Sequence, residues 1–136
     1  MEQHKIGEVA ERTGLSLRTI RYYEEVGLVT PSSRTHGGFR LYSDADIARF
    51  EVIKRMKPLD FSLEEMRDLL GIMGRLDDDG DAPAERARRL DQLAMYQVAA
   101  EERCRSLREQ LAIAEEFSAT LLATIGRHER AADPTR

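Results

Sequence analysis

The chain has 136 residues, of which 41% are hydrophobic, and a formal net charge of −4. A chain of this length holds one small domain with an extension. Its single cysteine excludes an intrachain disulfide and argues against a cysteine-rich zinc site. The sequence contains neither a run of about 18 apolar residues nor a signal-peptide pattern. We therefore expect a cytoplasmic protein with no membrane partner.

Residues 16–27 (SLRTIRYYEEVG) predict a short helix that begins at a capping serine, Ser16, and ends at Gly27. Leu17 and Ile20 recur at helical spacing, so one face can pack on a core while the arginines project from another. An earlier apolar helical face ends just upstream, and two such helices form a helix-turn-helix, whose second helix enters the DNA major groove. An ordinary helical hairpin with solvated arginines would show the same short pattern, so both interpretations stay open here.

A glycine pair follows this helix in a setting that predicts a β-hairpin. Gly37 and Gly38 separate two short runs, and both positions tolerate the positive φ that tight turns need. The flanking residues Arg34, Arg40 and Tyr42 would then project from a small β-ribbon directly after the recognition helix. This arrangement predicts a DNA-binding wing.

Three runs stand in the order and spacing of a known family, namely residues 6–10 (IGEVA), 19–28 (TIRYYEEVGL) and 38–43 (GFRLYS). Over residues 5–71 the chain thereby resembles the MerR (mercury-resistance regulator) family of bacterial transcription factors. The resemblance implies a mainly α fold: a winged helix-turn-helix domain with a small β-hairpin wing, followed by a long helix that forms an antiparallel coiled-coil dimer. The charge distribution fits a basic DNA-binding head, because residues 12–42 carry a net +3 whereas residues 61–136 carry −5.

Two further amphipathic helices are predicted after the wing. The first begins at Ser43 and carries apolar residues at helical spacing up to a stop before Pro58. Ser62 and Glu65 form a capping box that opens the second. These helices complete the core of a DNA-binding domain at residues 1–75. Three apolar residues are interpreted as core or interface rather than as base stackers: Phe39, Leu41 and Phe61.

An acidic stretch without periodicity, DDDGDAP, ends at Pro83 and predicts a solvated linker over residues 76–83. A calcium loop is disfavoured, because the glycine falls at the fourth position and Arg88 stands where a bidentate glutamate belongs. Pro83 suits the first turn of a new helix, where its missing N–H costs nothing. A tail at residues 131–136 is expected after that helix.

Residues 84–130 contain no proline and place a repeating set of residues at alternating four- and three-residue steps, the pattern of a coiled-coil seam. A helix of about 47 residues would extend roughly 70 Å, and the chain supplies no other surface long enough to cover it. A homodimer is therefore favoured over a helix that packs on its own domain. The predicted dimerisation seam consists of Leu90, Leu93, Gln97, Ala100, Cys104, Leu107, Leu111, Ala114, Ser118, Leu121 and Ile125.

The resemblance implies roles in DNA binding for the matching positions. Arg18 and Thr19, near the start of the recognition helix, are expected to contact base edges, since an arginine can pair with guanine O6 and N7. Tyr23 is expected to divide between the core and a phosphate. A pseudo-palindromic promoter operator, distortion of that DNA and RNA polymerase as a partner are also implied. The full predicted DNA-binding set is Ser16, Arg18, Thr19, Arg21, Tyr22, Tyr23, Arg34, Arg40, Tyr42 and Lys57.

The sequence contains no nucleophile–base pair, glycine-rich phosphate loop or metal-ligand spacing, so we expect no enzyme, no cofactor and no bound metal. The cysteines that metal-sensing family members carry near the ends of the dimer helix are absent from residues 84–90 and 125–136, and an unidentified small-molecule effector stays open. Cys104 lies between Arg103 and Arg105, which favours a thiolate, whereas its seam position favours a buried, inert side chain.

Two other interpretations stay open. The first is an effector-independent repressor or architectural DNA-binding protein. The second is a coiled-coil adaptor that has lost DNA binding. Salt dependence separates the adaptor from the others, because a two-headed DNA binder loses affinity steeply with salt and an adaptor binds no DNA.

Overall fold

The computed structural model describes residues 2–78 and 80–132. The chain divides into two compact units, Met1–Tyr96 and Gln97–Arg136, which are treated separately below. The elements in chain order are β1 (Gln3–Lys5), α1 (Ile6–Thr13), α2 (Leu17–Glu25), β2 (Ser33–Arg34), β3 (Arg40–Ser43), α3 (Asp44–Met56), a 3₁₀ turn (Lys57–Leu59), α4 (Leu63–Asp77) and α5 (Pro83–Ala132). This mainly helical architecture with a small sheet confirms the predicted fold class.

The predicted wing is present as the antiparallel hairpin of β2 and β3, which places Arg34 directly opposite Arg40. Thr35 N–H donates to the Phe39 carbonyl at 2.8 Å, and Gly38 supplies the positive φ of +83° that the turn requires. A third strand, β1, pairs with the other edge of β3 and was not predicted from the sequence. The wing is therefore the outer hairpin of a three-stranded sheet.

The helix-turn-helix turn is fixed by hydrogen bonds around the end of α1. Gly14 has a φ of +75°, and its N–H donates to the Ala10 carbonyl at 2.9 Å. The Thr13 hydroxyl donates to the Val9 carbonyl at 2.7 Å and accepts from Leu15 N–H at 3.2 Å. These hydrogen bonds hold the turn that joins the two helices.

The core of the first unit lies where the helix-turn-helix packs against the sheet and α3. Tyr42 and Phe50 meet edge to face, with ring centroids 5.9 Å apart and planes at 64°. Of the three apolar residues interpreted from the sequence as core or interface, Phe39 lies outside the core, because 70% of it is exposed at the wing turn. The side chains that are almost wholly buried include Val9, Ile20, Val29, Tyr42, Phe50 and Ile53.

Serine capping boxes open α3 and α4. In α3 the Ser43 hydroxyl accepts from Asp46 N–H at 3.1 Å, and the Asp46 carboxylate accepts from Ser43 N–H at 2.9 Å. Ser62 and Glu65 exchange the same two bonds at the start of α4. The Ser62 box is as predicted.

The acidic stretch before α5 differs from the predicted solvated linker. Because α4 continues to Asp77 and α5 begins at Pro83, the connection is shorter than residues 76–83. Asp81 is mostly buried and accepts from Arg89 Nε at 2.7 Å, with Arg75 3.6 Å away. The hydrogen bond from Arg89 holds the pKa of Asp81 below its usual range. Its carboxylate thus fastens the connection to both flanking helices.

The boundary between the two units falls inside α5, after Tyr96. The Tyr96 hydroxyl donates to the Asp68 carboxylate of α4 at 2.6 Å, and its ring lies 6.2 Å from that of Phe61. Burial and this hydrogen bond raise the pKa of Tyr96 to about 12. The start of α5 therefore packs as part of the first unit.

The second unit is the remainder of α5, and none of its described residues is buried. Eight large apolar side chains there are exposed: Val98, Leu107, Leu111, Ile113, Phe117, Leu121, Leu122 and Ile125. Within the described part of the chain, no helix combines the length and the apolar character that crossing a bilayer requires.

Candidate nucleic-acid interface

The recognition helix α2 is positioned by its cap and by one buried face. The Ser16 hydroxyl accepts from Thr19 N–H at 3.0 Å and donates to the Thr19 hydroxyl at 2.8 Å. Ile20 and Tyr23, three residues apart, are buried and fasten the helix to the core. The rest of the helix surface is thereby turned outward in a fixed orientation.

That outward surface carries two arginines. Arg18 and Arg21 are both exposed, and among residues 2–78 and 80–132 neither has a hydrogen-bonding or ion-pairing partner. Tyr22 is 46% exposed, with its ring 5.6 Å from that of Tyr23. Positive side chains without protein partners on an exposed helix face are the electrostatic requirement for a nucleic-acid contact.

The wing contributes a second pair of arginines. Arg34 and Arg40 lie opposite each other on β2 and β3, so their side chains share one face of the hairpin. Arg34 donates to the Gly38 carbonyl at 3.1 Å. Arg40 Nε donates to the Glu24 carboxylate of α2 at 2.6 Å. One arginine thus braces the wing turn, and the other joins the wing to the recognition helix.

Glu24 holds the wing and the recognition helix together. One of its carboxylate oxygens accepts from Arg40, and the other accepts from the Tyr42 hydroxyl at 2.7 Å. Burial, followed by this hydrogen bond, raises the pKa of Tyr42, which keeps the phenol protonated. This role could not be predicted from the sequence, because the partners are 16 and 18 residues away and no local pattern pairs them.

One of the two tyrosines predicted to contact a phosphate is corrected by its position. Tyr42 is fully buried and its hydroxyl is committed to Glu24. Tyr23 is only 3% exposed and packs in the core. The prediction that Tyr42 contacts a phosphate is therefore wrong, since it presents no surface to a ligand. The core packing of Tyr23 is as expected, and its phosphate contact stays a prediction.

One basic side chain from α3 and one from α4 donate hydrogen bonds to backbone carbonyls at the ends of the two helices of the helix-turn-helix. Lys54 Nζ donates to the Thr13 carbonyl at 2.6 Å, and Arg67 donates to the Val26 carbonyl at the end of α2, also at 2.6 Å. Lys57, a predicted phosphate contact, is exposed in the 3₁₀ turn. No contact among the described residues connects Lys57 to the arginines of α2 or the wing.

A titratable cluster joins β1, α1 and the start of α3. The His4 ring donates through Nδ1 to Glu8 and through Nε2 to Asp44, the latter at 2.8 Å. The hydrogen bond to Asp44 raises the pKa of His4, and the same contact lowers that of Asp44. Glu2, His4 and Asp44 place potential metal ligands within 4.8 Å of one another. Arg12, 3.4 Å from Asp44, already supplies a cation there, so the contacts favour an ion-pair network.

The predicted dimerisation residues divide between the two units. Leu90 and Leu93 lie in the first unit, where Leu93 is half-buried. In the second unit Ala100 and Cys104 are half-buried. The remaining seam residues are exposed in this single chain: Gln97, Leu107, Leu111, Ala114, Ser118, Leu121 and Ile125.

Together, the fold and the exposed arginines define a winged helix-turn-helix DNA-binding protein. Residues 4–71 match the family model described as "MerR HTH family regulatory protein". The chain is also 35% identical to the HTH-type transcriptional regulator YfmP of Bacillus subtilis (strain 168), over 96% of each chain. The chain therefore belongs to the MerR family.

Two further likenesses agree with this assignment. The mercuric resistance operon regulatory protein of Bacillus cereus is 45% identical over 52% of this chain and 54% of its own length, so the match spans about half of that protein. The crystal structure of HiNmlR, a MerR family regulator lacking the sensor domain, bound to promoter DNA, has a TM-score of 0.66 at 21% identity over 96% of this chain and 89% of that one, which shows a common fold. The chain is a DNA-binding transcriptional regulator of the MerR type, and the relatives compared are regulators rather than enzymes.

Proposed function

We propose that the protein binds a pseudo-palindromic promoter operator as a homodimer and distorts that DNA to control transcription. The observation that carries the proposal is the clamp at Glu24, which joins the wing to the recognition helix through Arg40 and Tyr42. Because of this clamp, the exposed arginines of both elements approach DNA as one rigid surface. A rigid surface loses little conformational entropy on binding.

The recognition helix supplies the sequence-specific contacts in this proposal. Arg18 reaches base edges in the major groove, and Thr19, oriented by its bond to Ser16, contacts a neighbouring base. Phosphate contacts set register and salt dependence but not sequence. They are assigned to Arg21, Tyr22, Arg34, Arg40 and Lys57.

Homodimerisation is proposed for the exposed apolar face of α5. Leu107, Leu111 and Leu121 are exposed in the single chain and recur at seam spacing. Apolar side chains repeated at this spacing are covered when two helices pair. An antiparallel pair makes two heads available to the two half-sites of a palindrome, one helical turn or a multiple of it apart.

Promoter distortion is proposed as the regulatory step. Bending or untwisting the DNA between two promoter elements changes how RNA polymerase engages both, and the energy depends on the sequence deformed. The solved regulator HiNmlR is described as lacking a sensor domain and as bound to promoter DNA, which supports action on a promoter by a short member. We assign this activity to the cytoplasm and leave the effector unidentified.

The test is a footprint of the purified protein on the DNA that flanks its own coding sequence, with permanganate as a probe of distortion. Protection of a pseudo-palindrome between promoter elements, with hyperreactive bases at its centre, is the expected result. Protection without hyperreactivity would instead favour the plain repressor. Absence of protection in a selection across the whole genome would sink the proposal and favour the coiled-coil adaptor.

The same footprint is repeated with the variant Arg18→Ala. Loss of a bidentate guanine contact is expected to weaken operator binding by about 1–3 kcal/mol and to relax specificity at one base pair of each half-site. Arg105→Ala removes the same charge from an exposed position of α5 and serves as the control. Equal losses in the two variants would show that Arg18 contributes only net charge.

A further inference from the structure

A cavity of about 350 Å³ lies on the first unit, where three elements meet. Residues 5–7 line it from the junction of β1 and α1, Arg21 from the recognition helix, and residues 38–40 from the wing. The volume is roughly ten times the ~30 Å³ that one molecule occupies in liquid water. A hydrated phosphodiester group can therefore enter.

The lining of this cavity is positive. Three of its side chains are cations, namely Lys5, Arg21 and Arg40, and none is acidic. Arg40 is paired with Glu24. Among the described residues, neither Lys5 nor Arg21 has a carboxylate within salt-bridge distance. Two uncompensated positive charges thus face one space.

Lys5 is held beside the wing because β1 pairs with β3. In the β1–β3 ladder Lys5 lies opposite Leu41, and Leu41 directly follows Arg40 in β3. The next lining glycine, Gly7, has no heavy atom within 4 Å of where a Cβ would stand, so the cavity is not closed on that side. The fold therefore fixes a lysine from near the start of the chain next to the two elements that present DNA-binding arginines.

We propose that this cavity, the Lys5 cleft, binds a backbone phosphate of duplex DNA and that Lys5 is a DNA-contacting residue. The proposal rests on the proposed function, because it assigns an additional contact to the same interface. A phosphate suits the cleft, since two uncompensated cations favour an anion that offers several oxygen acceptors. Duplex DNA is favoured over a free anion because two walls of the cleft are the recognition helix and the wing.

The mechanism follows from what a phosphate contact does. It fixes where the recognition helix sits along the groove but does not distinguish base pairs. Each neutralised phosphate releases condensed counterions, which adds about 0.9 to the slope of log affinity against log salt. Lys5 should therefore affect affinity and salt dependence on every DNA sequence alike, whereas Arg18 should affect specificity.

The experiment uses the full chain and a fluorescent duplex of mixed sequence, titrated by anisotropy at several salt concentrations. Lys5→Ala is expected to reduce the salt slope by about 0.9 for each protomer bound, with roughly a three- to tenfold loss of affinity near 0.1 M salt. Lys5→Arg is expected to restore both quantities, because it returns the charge. Arg105→Ala, on the second unit, is the charge-matched control and should leave the slope unchanged.

The outcomes separate this proposal from the proposed function. If the unaltered protein binds the duplex while Lys5→Ala keeps the same slope of log affinity against log salt, phosphate binding by the Lys5 cleft is overturned. The proposed function as a transcriptional regulator then stands. If Lys5→Arg fails to restore the slope of a folded Lys5→Ala variant, the effect belongs to strand packing rather than to charge, and the cleft is again overturned. If the unaltered protein binds no duplex even at low salt, both proposals fail together.

Discussion

The first compact unit and the second differ in where their apolar side chains go. In the first unit Ile20, Tyr42 and Phe50 are buried against neighbours from other elements. In the second unit no described residue is buried, and Phe117 stands 64% exposed. The first unit therefore closes its core within one chain. The second presents an apolar repeat that none of its described residues covers, and the homodimer proposed above would cover it.

The two units also differ in whether their charged groups join separate elements. In the first unit, half-buried charges join different elements, as Glu24 of α2 does with Arg40 and Tyr42 of β3. In the second, the ion pair of Arg108 with Glu101 stays within one exposed helix. Exposed pairs of this kind contribute about 0–1 kcal/mol. Among its described residues the second unit thus has no buried core.

Leu111→Asp is expected to have the largest effect, because it disrupts the proposed cover of the second unit's apolar face. In the proposed dimer it removes two buried leucines, worth about 3–6 kcal/mol together, and places carboxylates in the seam. We expect more than a hundredfold weaker dimerisation, with loss of helicity in the second unit. Sedimentation equilibrium and far-ultraviolet circular dichroism measure the two effects.

Glu109→Ala is the control for that substitution, since Glu109 is exposed and falls outside the seam. It should stay dimeric. A Leu111→Asp protein that sediments as an unchanged dimer would show that the seam is in the wrong place. A wild-type chain that sediments as a monomer would show that the apolar face is covered by something other than a second copy.

The contrast also explains what the sequence could predict. Helices and their ends follow from local chemistry, so the caps at Ser16 and Ser62, the turn at Gly14 and the wing at Gly38 were all predictable. Each depends on residues within a few positions of one another. Such signals are readable because side-chain caps and positive φ are local requirements.

The parts that could not be predicted depend on distant partners. The strand β1 has only three residues and shows no alternation, and it exists because β3 lies beside it. The burial of Tyr42 likewise depends on Glu24 and Phe50. Family motifs mark such a tyrosine as important without stating whether it faces DNA or the core. The candidate site was therefore predictable in its arginines but not in the clamp that orients them.

Phe50→Ala and Phe39→Ala distinguish a buried from an exposed phenylalanine within the first unit. Phe50 is fully buried in contact with Tyr42, so its truncation leaves a cavity and should lower the free energy of unfolding by about 3–5 kcal/mol. Phe39 is 70% exposed, and its truncation should change stability by less than about 0.5 kcal/mol. Urea-induced unfolding followed by circular dichroism compares the two. Equal losses would contradict the assignment of the core.

Glu24→Gln tests the clamp between wing and recognition helix. The amide keeps one acceptor oxygen but removes the charge that Arg40 and Tyr42 share, so unfolding should become easier by about 1–3 kcal/mol. Affinity for DNA should fall as well, although Glu24 itself is acidic, because the wing loses its fixed position. Glu25→Gln, an exposed neighbour with the same charge, is the control. Tighter DNA binding in Glu24→Gln than in Glu25→Gln would mean that Glu24 acts only by repelling phosphate.

The smallest expected effect is the pH dependence from His4, a second device that joins elements of the first unit. Both ring nitrogens of His4 donate to carboxylates, Nε2 to Asp44 and Nδ1 to Glu8, so the folded state favours the imidazolium and the pKa of His4 is raised. Because the folded pKa lies above the unfolded value of about 6.5, the folded state binds more protons between the two. The stabilisation is fully present below about pH 6.5 and is lost as pH rises through the folded pKa. Urea unfolding across this range should show that decline in the unaltered protein and a flatter profile in His4→Gln, while His36→Gln, at the exposed wing turn, retains the decline. An identical decline in His4→Gln would assign the pH dependence to another group.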